Sequence, residues 1–405
     1  MPPHAPVSEI ACADAARRLW DYVDARLPET SRAEIDAHLA TCAACPGHVT
    51  FARAIQRALA ASRALSNAGV RNAVLRARLH VVMSEAQIAR PLRVVVLGAG
   101  GVGGYFGGAL ARAGHDVTLL ARGDHLAAIR ARGLQLKLPT DDGTPTAESV
   151  VAPVKATDDA DALPHADLVL VTVKSYSLHE IAPAAARLAR AGATVLPLLN
   201  GVDAADRLVE YGVPREALLG GVTVISAARV GPGVIERRSA FQRVVVGTLR
   251  GTTVDTARVN RIVQAFHDAG VDARVSSRIE VELWNKLIFL ASMAAACGLA
   301  RREVGAVRSA PLGRLLIERA IAEIVAVARA HGVAVDPDIT AQTVGAIEAL
   351  PATMRPSLLL DLERGGPTEL DVLSGAVSRL GRQHGIPTPV HDTAVAAIGA
   401  ATAGS

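Results

Sequence analysis

Leu92-Arg-Val-Val-Val-Leu-Gly-Ala-Gly-Gly-Val-Gly103 decides the fold of most of this chain. The apolar run Val94–Leu97 reads as a buried strand, Gly98-x-Gly100-x-x-Gly103 follows at once, and the helix-compatible segment Tyr105–Ala113 comes next. In that strand–turn–helix order each glycine has its own duty. Gly98 allows the turn, Gly100 lets backbone approach a pyrophosphate, and Gly103 lets the helix pack close to the strand. The helix start adds free N–H groups and a positive dipole end for phosphate. The loop of Gly98, Ala99, Gly100, Gly101, Val102 and Gly103 is therefore predicted to hold a dinucleotide. The flanking elements argue against a bland glycine-rich turn.

Working outward, His115–Arg122 reads as a second strand ending in Ala121-Arg122. An NAD-type site wants an Asp or Glu at this strand end to accept from the ribose 2′-hydroxyl. Arg122 stands there instead, and a guanidinium suits a 2′-phosphate, so NADP is expected over NAD. Asp124 falls past the expected strand end, and the plain alternative is an Arg122 on a solvated loop. Leu168–Val173 and Ala193–Leu199 read as further strands of a parallel sheet. Lys174 and Asn200 follow those strands, where ligands of such sheets bind. Gly220–Gly247 reads as a β-rich extension broken at Gly231-Pro-Gly233. From about Ser276 helical periods take over: Ile279–Leu299, Leu312–His331 and Leu370–His384.

At 405 residues the chain is too long for one ordinary core. Four parts are expected: a helical module over 1–50, a basic helical linker over 51–90, a Rossmann dinucleotide-binding domain over 91–275, and an all-helical catalytic domain over 276–405. The linker region from Pro46 to Ser84 holds Arg53, Arg57, Arg63, Arg71, Arg76 and Arg78 but no acid. A solvated helix explains it; an acidic protein surface or RNA is the rival. Met83 is a credible start for a free-standing enzyme. The net charge of +4 demands no nucleic acid, and 3% aromatics supply few stacking platforms. No uninterrupted apolar run of eighteen residues reads as a membrane span, and the N-terminus lacks a signal-peptide pattern. The cytoplasm is the default expectation.

Taken in order, Gly98-x-Gly100-x-x-Gly103, Ala121-Arg122, Val171-Thr-Val-Lys174, Asn200-Gly201, Glu282-Leu-Trp-Asn-Lys286 and Thr368-Glu369-Leu-Asp371 resemble the ketopantoate reductase (2-dehydropantoate 2-reductase) family over residues 92–400. The resemblance implies an α/β fold: a Rossmann-type NADP-binding domain and an all-helical C-terminal domain. It implies NADPH-dependent reduction of a 2-keto acid to a 2-hydroxy acid, ketopantoate to pantoate on the route to pantothenate and coenzyme A. Lys286 matches the family's catalytic lysine and would donate the proton. Leu283, Trp284, Leu287 and Ile288 make its helix apolar enough to lower its pKa; a snorkelling surface lysine is the alternative. Glu369 matches the acid that meets the substrate hydroxyl and helps hold the lysine, although it also suits a helix first turn. Ser357 matches the hydroxyl that meets the substrate carboxylate, and after Pro356 it equally suits a helix N-cap. By resemblance Lys174 would reach the adenosine phosphate beside Arg122, Asn200 would lie between the nicotinamide ribose and Lys286, and Ala228 would touch the cofactor through its backbone. A homodimer is compatible with this reading.

Two departures concern the substrate. The family carries asparagines one and two helical turns beyond the lysine, where this chain has Leu290 and Ala294. The face Leu290, Met293, Ala294 and Cys297 is apolar, which points to a bulkier or less hydroxylated keto acid than ketopantoate. Cys297 reads as a small buried hydrophobe.

The other three cysteines lie in the first 45 residues. His38-Leu-Ala-Thr-Cys42-Ala-Ala-Cys45 puts His38 and Cys42 on one helical face and adds a Cys-x-x-Cys spacing. Cys12 can complete a tetrahedral Cys₃His zinc site; His48 is a substitute ligand, and a metal-free redox thiol pair or an inert hairpin are rivals. With Arg18-Leu-Trp-Asp-Tyr-Val-Asp24, residues 9–49 resemble the zinc-binding anti-sigma domain. That resemblance implies a sigma-factor-like protein partner. Two functions follow: a reductase with an appended zinc module, or a regulatory protein whose Rossmann domain senses NADP(H). Lys286 with Glu369 favours the enzyme.

Overall fold

The computed structural model describes residues 18–23, 26–41, 49, 53, 91–139 and 149–402. The chain divides into two compact units, Met1–Pro91 and Leu92–Ser405. In the first, helices α1 (Leu19–Val23) and α2 (Glu29–Thr41) bury Tyr22 and Ile35 with Val49. An ion pair, Arg18 to Glu34 at 3.0 Å, ties them together. His38 sits in the last turn of α2. Cys12, Cys42, Cys45 and His48 lie outside the described residues, as does the basic segment beyond Arg53.

The second unit opens with β1 (Arg93–Leu97), α3 (Gly101–Arg112), β2 (Asp116–Leu120) and α4 (Gly123–Arg132). β3 (Leu134–Lys137), β4 (Ser149–Ala152) and β5 (Lys155–Thr157) follow, then β6 (Leu168–Val171), α5 (Leu178–Arg190), β7 (Thr194–Pro197) and α6 (Ala204–Glu210). The parallel sheet runs β5-β2-β1-β6-β7, so strand order reverses at β1. β-Branched residues fill these strands because both faces are covered. Leu92, Val94 and Val96 pack on α3, while Val95 and Leu97 pack on the α5 side. The glycine helix begins at Gly101, earlier than the sequence reading of Tyr105, because the residues after Gly100 already take helical hydrogen bonds.

The β-rich extension is two ladders. β8 (Leu219–Val224), β11 (Arg243–Thr248) and β12 (Asp272–Val275) form one, joined to β7 by a bridge at Val195 and Leu218. β9 (Ala227–Gly231) and β10 (Val234–Arg237) pair with β3 and β4. Helix α7 (Thr256–Asp268), N-capped by Asp255, closes this lobe.

The rest is helical: α8 (Ile279–Ala300), α9 (Val304–Ser309), α10 (Gly313–Ala330), α11 (Ile339–Glu348), α12 (Ser357–Glu363), α13 (Ser374–His384) and α14 (Pro389–Thr402). α8 is the one helix among the described residues long and apolar enough to cross a membrane, and 61% of its apolar window is buried inside the protein. Trp284, Leu287, Ile288 and Ala291 anchor it in the lobe core. The expected helix Leu370–His384 is split. Leu370–Val372 is a 3-10 turn, and Leu373 breaks it from α13 with φ −97° and ψ −100°.

Candidate active site

The sheet aims its strand ends at one crevice. Gly98 leaves β1 with φ +111°, and a side chain there would come 2.7 Å from Val173 N. Only glycine tolerates both demands. A methyl at Gly103 would collide with the Gly98 carbonyl and the Thr172 hydroxyl, whereas one at Gly100 would meet nothing within 4 Å. The open space at Gly100 is where backbone can approach a bound phosphate, so the loop fits a dinucleotide. A methyl at Gly101 would strike the Ala227 carbonyl, which puts β9 and Ala228 against the helix start. Ala228 belongs to β9.

A cleft of about 220 Å³ lies over this loop, bordered by Gly98, Gly100, Arg122, His125, Glu180 and Arg229. Arg122 is exposed and holds Glu180 at 2.7 Å. His125 is buried. Its Nε2 pairs with the Ala99 carbonyl at 2.8 Å, and its Nδ1 accepts from Gly233 N–H at 2.9 Å. Burial pushes its pKa down and the Arg229 charge adds to the shift, against the Ala99 carbonyl. A neutral Nε2–H ring thus clamps the glycine loop to the β9–β10 hairpin.

Lys174 does not stand beside Arg122 as expected. Its ammonium donates to Glu369 at 2.9 Å and lies 3.4 Å from Asp361. Burial alone would lower its pKa, but the two carboxylates outweigh burial and raise it. Two anions from the helical lobe, Glu369 and Asp361, draw the side chain towards themselves. Asn200 Nδ2 donates to the same Glu369 oxygen at 3.1 Å. Glu369 is buried and precedes the 3-10 turn.

Lys286 lies on α8. The residue as a whole is half-buried, yet its ammonium is desolvated enough to push its pKa down to about 8, with Glu369 opposing the shift. No hydrogen bond or ion pair holds it among the described residues. A contiguous path joins the glycine turn to this lysine: Gly98 on Val173, then Lys174, then Glu369. The cleft over the turn is itself lined by neither Lys286 nor Glu369.

Ser357 is exposed at the first position of α12, and Pro356 holds the N-cap position. The apolar face beyond Lys286 is mostly core. Met293, Ala294 and Cys297 are buried, and only Leu290 keeps partial exposure. Burial pushes the Cys297 thiol up to about 12, as a small hydrophobe requires. A second cavity of about 190 Å³ lies by Trp284, Leu283, Arg215 and Arg250, and it includes neither Lys286 nor Glu369.

Asp361, His125 and Arg229 escaped the sequence reading. Asp361 stands four residues after Ser357, a spacing that shares a helix face and could have flagged it. Arg229 follows Ala228 directly. His125 had no signal, because its partners come from distant loops.

Residues 94–251 match the family model for ketopantoate reductase PanE/ApbA, and residues 278–402 match the model for its C-terminal domain. A 2-dehydropantoate 2-reductase of Halobacterium salinarum is 37% identical over 300 residues, covering 74% of this chain and 95% of the relative. The chain belongs to the ketopantoate reductase family. It is an oxidoreductase of the 2-dehydropantoate 2-reductase-like kind. A crystal structure of a family ketopantoate reductase from Ralstonia eutropha is 31% identical, with a TM-score of 0.68 over 76% of this chain and 98% of that one. D-mandelate dehydrogenase with NADH and anilino(oxo)acetate also matches, at TM-score 0.68 over 76% of this chain and 98% of its own. At 22% identity that likeness is one of fold. A zinc-finger family model matches residues 12–45, ahead of the reductase region.

Proposed function

We propose that this ketopantoate reductase family member uses NADPH to reduce a 2-keto acid, with Lys286 as the proton donor. The observation that carries the reading is the desolvated Lys286 ammonium, without a hydrogen bond or ion pair among the described residues, within the field of buried Glu369, which Lys174 and Asn200 tie to the strand ends. When bound, NADPH supplies the hydride that reaches the carbonyl carbon. Lys286 gives its proton to the carbonyl oxygen, so ketone becomes alcohol and the lysine is left neutral until solvent reprotonates it. A pKa near 8 matches a general acid to neutral pH. Glu369 accepts from the new hydroxyl, while Lys174 and Asn200 fix its carboxylate. Arg122 and Arg229 supply positive charge to the cleft where a 2′-phosphate would sit. Ser357 at the start of α12 would meet the substrate carboxylate.

Ketopantoate is the first substrate to assay. Leu290, the one partly exposed position of the apolar face beyond Lys286, offers no amide to a polar tail, which supports a less hydroxylated keto acid as the preferred one. The test is NADPH oxidation across a panel of 2-keto acids, with Lys286→Ala. Loss of turnover with NADPH still bound is expected; turnover that survives the change would remove the lysine from its role.

For the N-terminal unit we propose a zinc ion held by Cys12, His38, Cys42 and Cys45, its lone described ligand, His38, lying in the last turn of α2. Zinc would supply folding free energy to a segment this short. Metal analysis of reduced wild type against Cys42→Ala decides it: one zinc per chain in the first and none in the second is expected. The anti-sigma likeness makes a sigma-factor-like protein the partner to try. The desolvated lysine beside Glu369 supports an enzyme over a pure NADP(H) sensor.

A further inference from the structure

Asp203, Arg207, Asp371 and Arg379 close a ring of alternating charge. Arg207 holds Asp203 at 2.8 Å and Asp371 at 2.6 Å. Arg379 holds Asp371 at 2.6 Å and Asp203 at 2.7 Å. Asp203 and Arg207 belong to the start and middle of α6 in the sheet lobe. Asp371 lies in the 3-10 turn and Arg379 in α13 of the helical lobe. The ring therefore spans the lobe junction.

Its place matters for the chemistry. Asp203 stands three residues after Asn200, and Asp371 two residues after Glu369. Gly201, with φ +95°, lies so close to Val372 that an added methyl would come 3.0 Å from Val372 Cβ. The two segments that carry the Asn200–Glu369 hydrogen bond are thus seated on each other and pinned by four ion pairs just behind it. A closed ring neutralises itself. Asp203 is mostly buried and Arg207 three-quarters buried, so solvent screens their pair less than a surface bridge. An isolated exposed pair would contribute little, but each arginine here bridges two carboxylates in fixed forks.

We propose that this four-charge ring is a latch between the lobes, and that its members are positioning residues that set Asn200 and Glu369 against Lys286. This rests on the reductase reading. Displacement of reacting groups by an ångström can cost about a hundredfold in rate, so a loose latch lowers kcat while the cofactor cleft, at the ends of β1 and β2, is spared.

The experiment uses the full chain with Arg207→Met, Asp371→Asn, the double variant and the conservative Arg207→Lys. Arg243→Met, which breaks the exposed pair with Asp272 outside the crevice, is the control. Turnover of ketopantoate or the best 2-keto acid, NADPH dissociation constants, and hydrogen exchange over 200–203 and 369–372 are measured. Each single variant should lose about tenfold or more in kcat, with NADPH affinity within about twofold and faster exchange in both segments. Arg207→Lys should recover part of the loss, the double variant should be little worse than either single, as coupled residues behave, and the control should match wild type. Faster exchange with kcat unchanged would reduce the ring to a structural brace and overturn the proposal. So would additive losses in the double variant. If wild type turns over no keto acid the reductase reading falls, and positioning falls with it; unchanged exchange in the variants would remove the latch independently of any turnover.

Discussion

Lys174 Nζ lies 2.9 Å from Glu369 Oε2, across 195 residues of sequence and across the junction of the sheet and helical lobes. On the roles proposed for Lys286 and Glu369, this contact puts Lys174 at the reacting end of the crevice. Lys174→Met would leave the buried carboxylate with Asn200 as its donor. A charge-assisted hydrogen bond contributes about 1.5–3 kcal/mol, which corresponds to roughly ten- to a hundredfold in rate. We expect kcat/KM for the keto acid to fall by that factor while the NADPH dissociation constant barely moves. Steady-state kinetics and cofactor titration read the two separately. A large loss of NADPH affinity with kcat intact would return Lys174 to the adenosine phosphate.

Gly100 gives a clean test of cofactor binding, because the protein leaves its surroundings open. Nothing lies within 4 Å of an added methyl, and its φ of −76° is available to any residue. Gly100→Ala should therefore change the melting temperature by no more than a degree or two, since a surface change of under about 0.5 kcal/mol shifts Tm little. NADPH binding should weaken at least about tenfold, because the methyl occupies the space where backbone would meet the pyrophosphate. Unaltered NADPH affinity in a stable variant would move the dinucleotide off this turn.

The Lys286 pKa of about 8 fixes the direction of the pH profile. With Lys286 as the proposed proton donor, reduction needs the protonated lysine, so its rate should be level below that value and fall about tenfold per pH unit above it. Glu369 raises the lysine's pKa against burial; Glu369→Gln should therefore move the midpoint downward. Labelling of Lys286 by an acylating reagent, followed by mass spectrometry across pH, reads the same ionisation without turnover. A midpoint unmoved by Glu369→Gln would mean the carboxylate does not sense the lysine.

The legible parts of this fold are those whose causes are local. The strand, glycine turn and helix from Val94 to Arg112 follow from apolar run length and turn chemistry within twenty residues. α8 follows from its apolar period; Lys286 is singled out by the family resemblance, and its apolar neighbours on that helix give only the reason for a lowered pKa. Side-chain direction was not legible. Lys174 sits at a strand end whichever way it points, and only Glu369 and Asp361, nearly two hundred residues later, decide the direction. The break at Leu373 was hidden for a similar reason: the segment has helical periodicity, but Asp371 and Glu369 are drawn to Arg207, Arg379, Lys174 and Asn200, and Leu373 turns out of the helix between them and α13. His125 could not be read because its ring bonds to the backbone of two separate loops.

His391 makes a prediction about acid stability. It is fully buried in the helical lobe, with Nδ1 3.1 Å from the Ser374 hydroxyl and Nε2 3.1 Å from the Ala320 carbonyl. Burial pushes its pKa down to about 4, against the Ala320 carbonyl and Asp392. A lowered folded-state value means the unfolded chain takes the proton first. The neutral ring therefore costs nothing above about pH 6.5, stability is lost as pH falls from there towards 4, and the loss levels off below. A gap of that size corresponds to roughly 3 kcal/mol when complete. His391→Gln lacks this titration, so the wild-type advantage in denaturant unfolding should shrink between pH 7 and pH 4.5. A constant advantage over that range would show that the ring does not titrate as its burial requires.

Arg122 and Arg229 border one cleft from different elements, and Glu180 neutralises Arg122 from α5 at 2.7 Å. A bound 2′-phosphate would compete with Glu180 for the guanidinium, and as a doubly charged acceptor in fork geometry it should win. Arg122→Ala is expected to weaken NADPH by roughly ten- to a hundredfold, the equivalent of one charge-assisted contact of about 1.5–3 kcal/mol, with NADH affected far less. Arg229→Ala should act in the same direction. Glu180→Gln should do the reverse and tighten NADPH, since it frees Arg122 without adding a contact to NADH. Fluorescence titration of both cofactors against the three variants gives the ratios directly. Equal losses for NADPH and NADH in Arg122→Ala would assign the arginine to a part of the cofactor that both share, and the preference for NADP would then have no phosphate contact at this strand end.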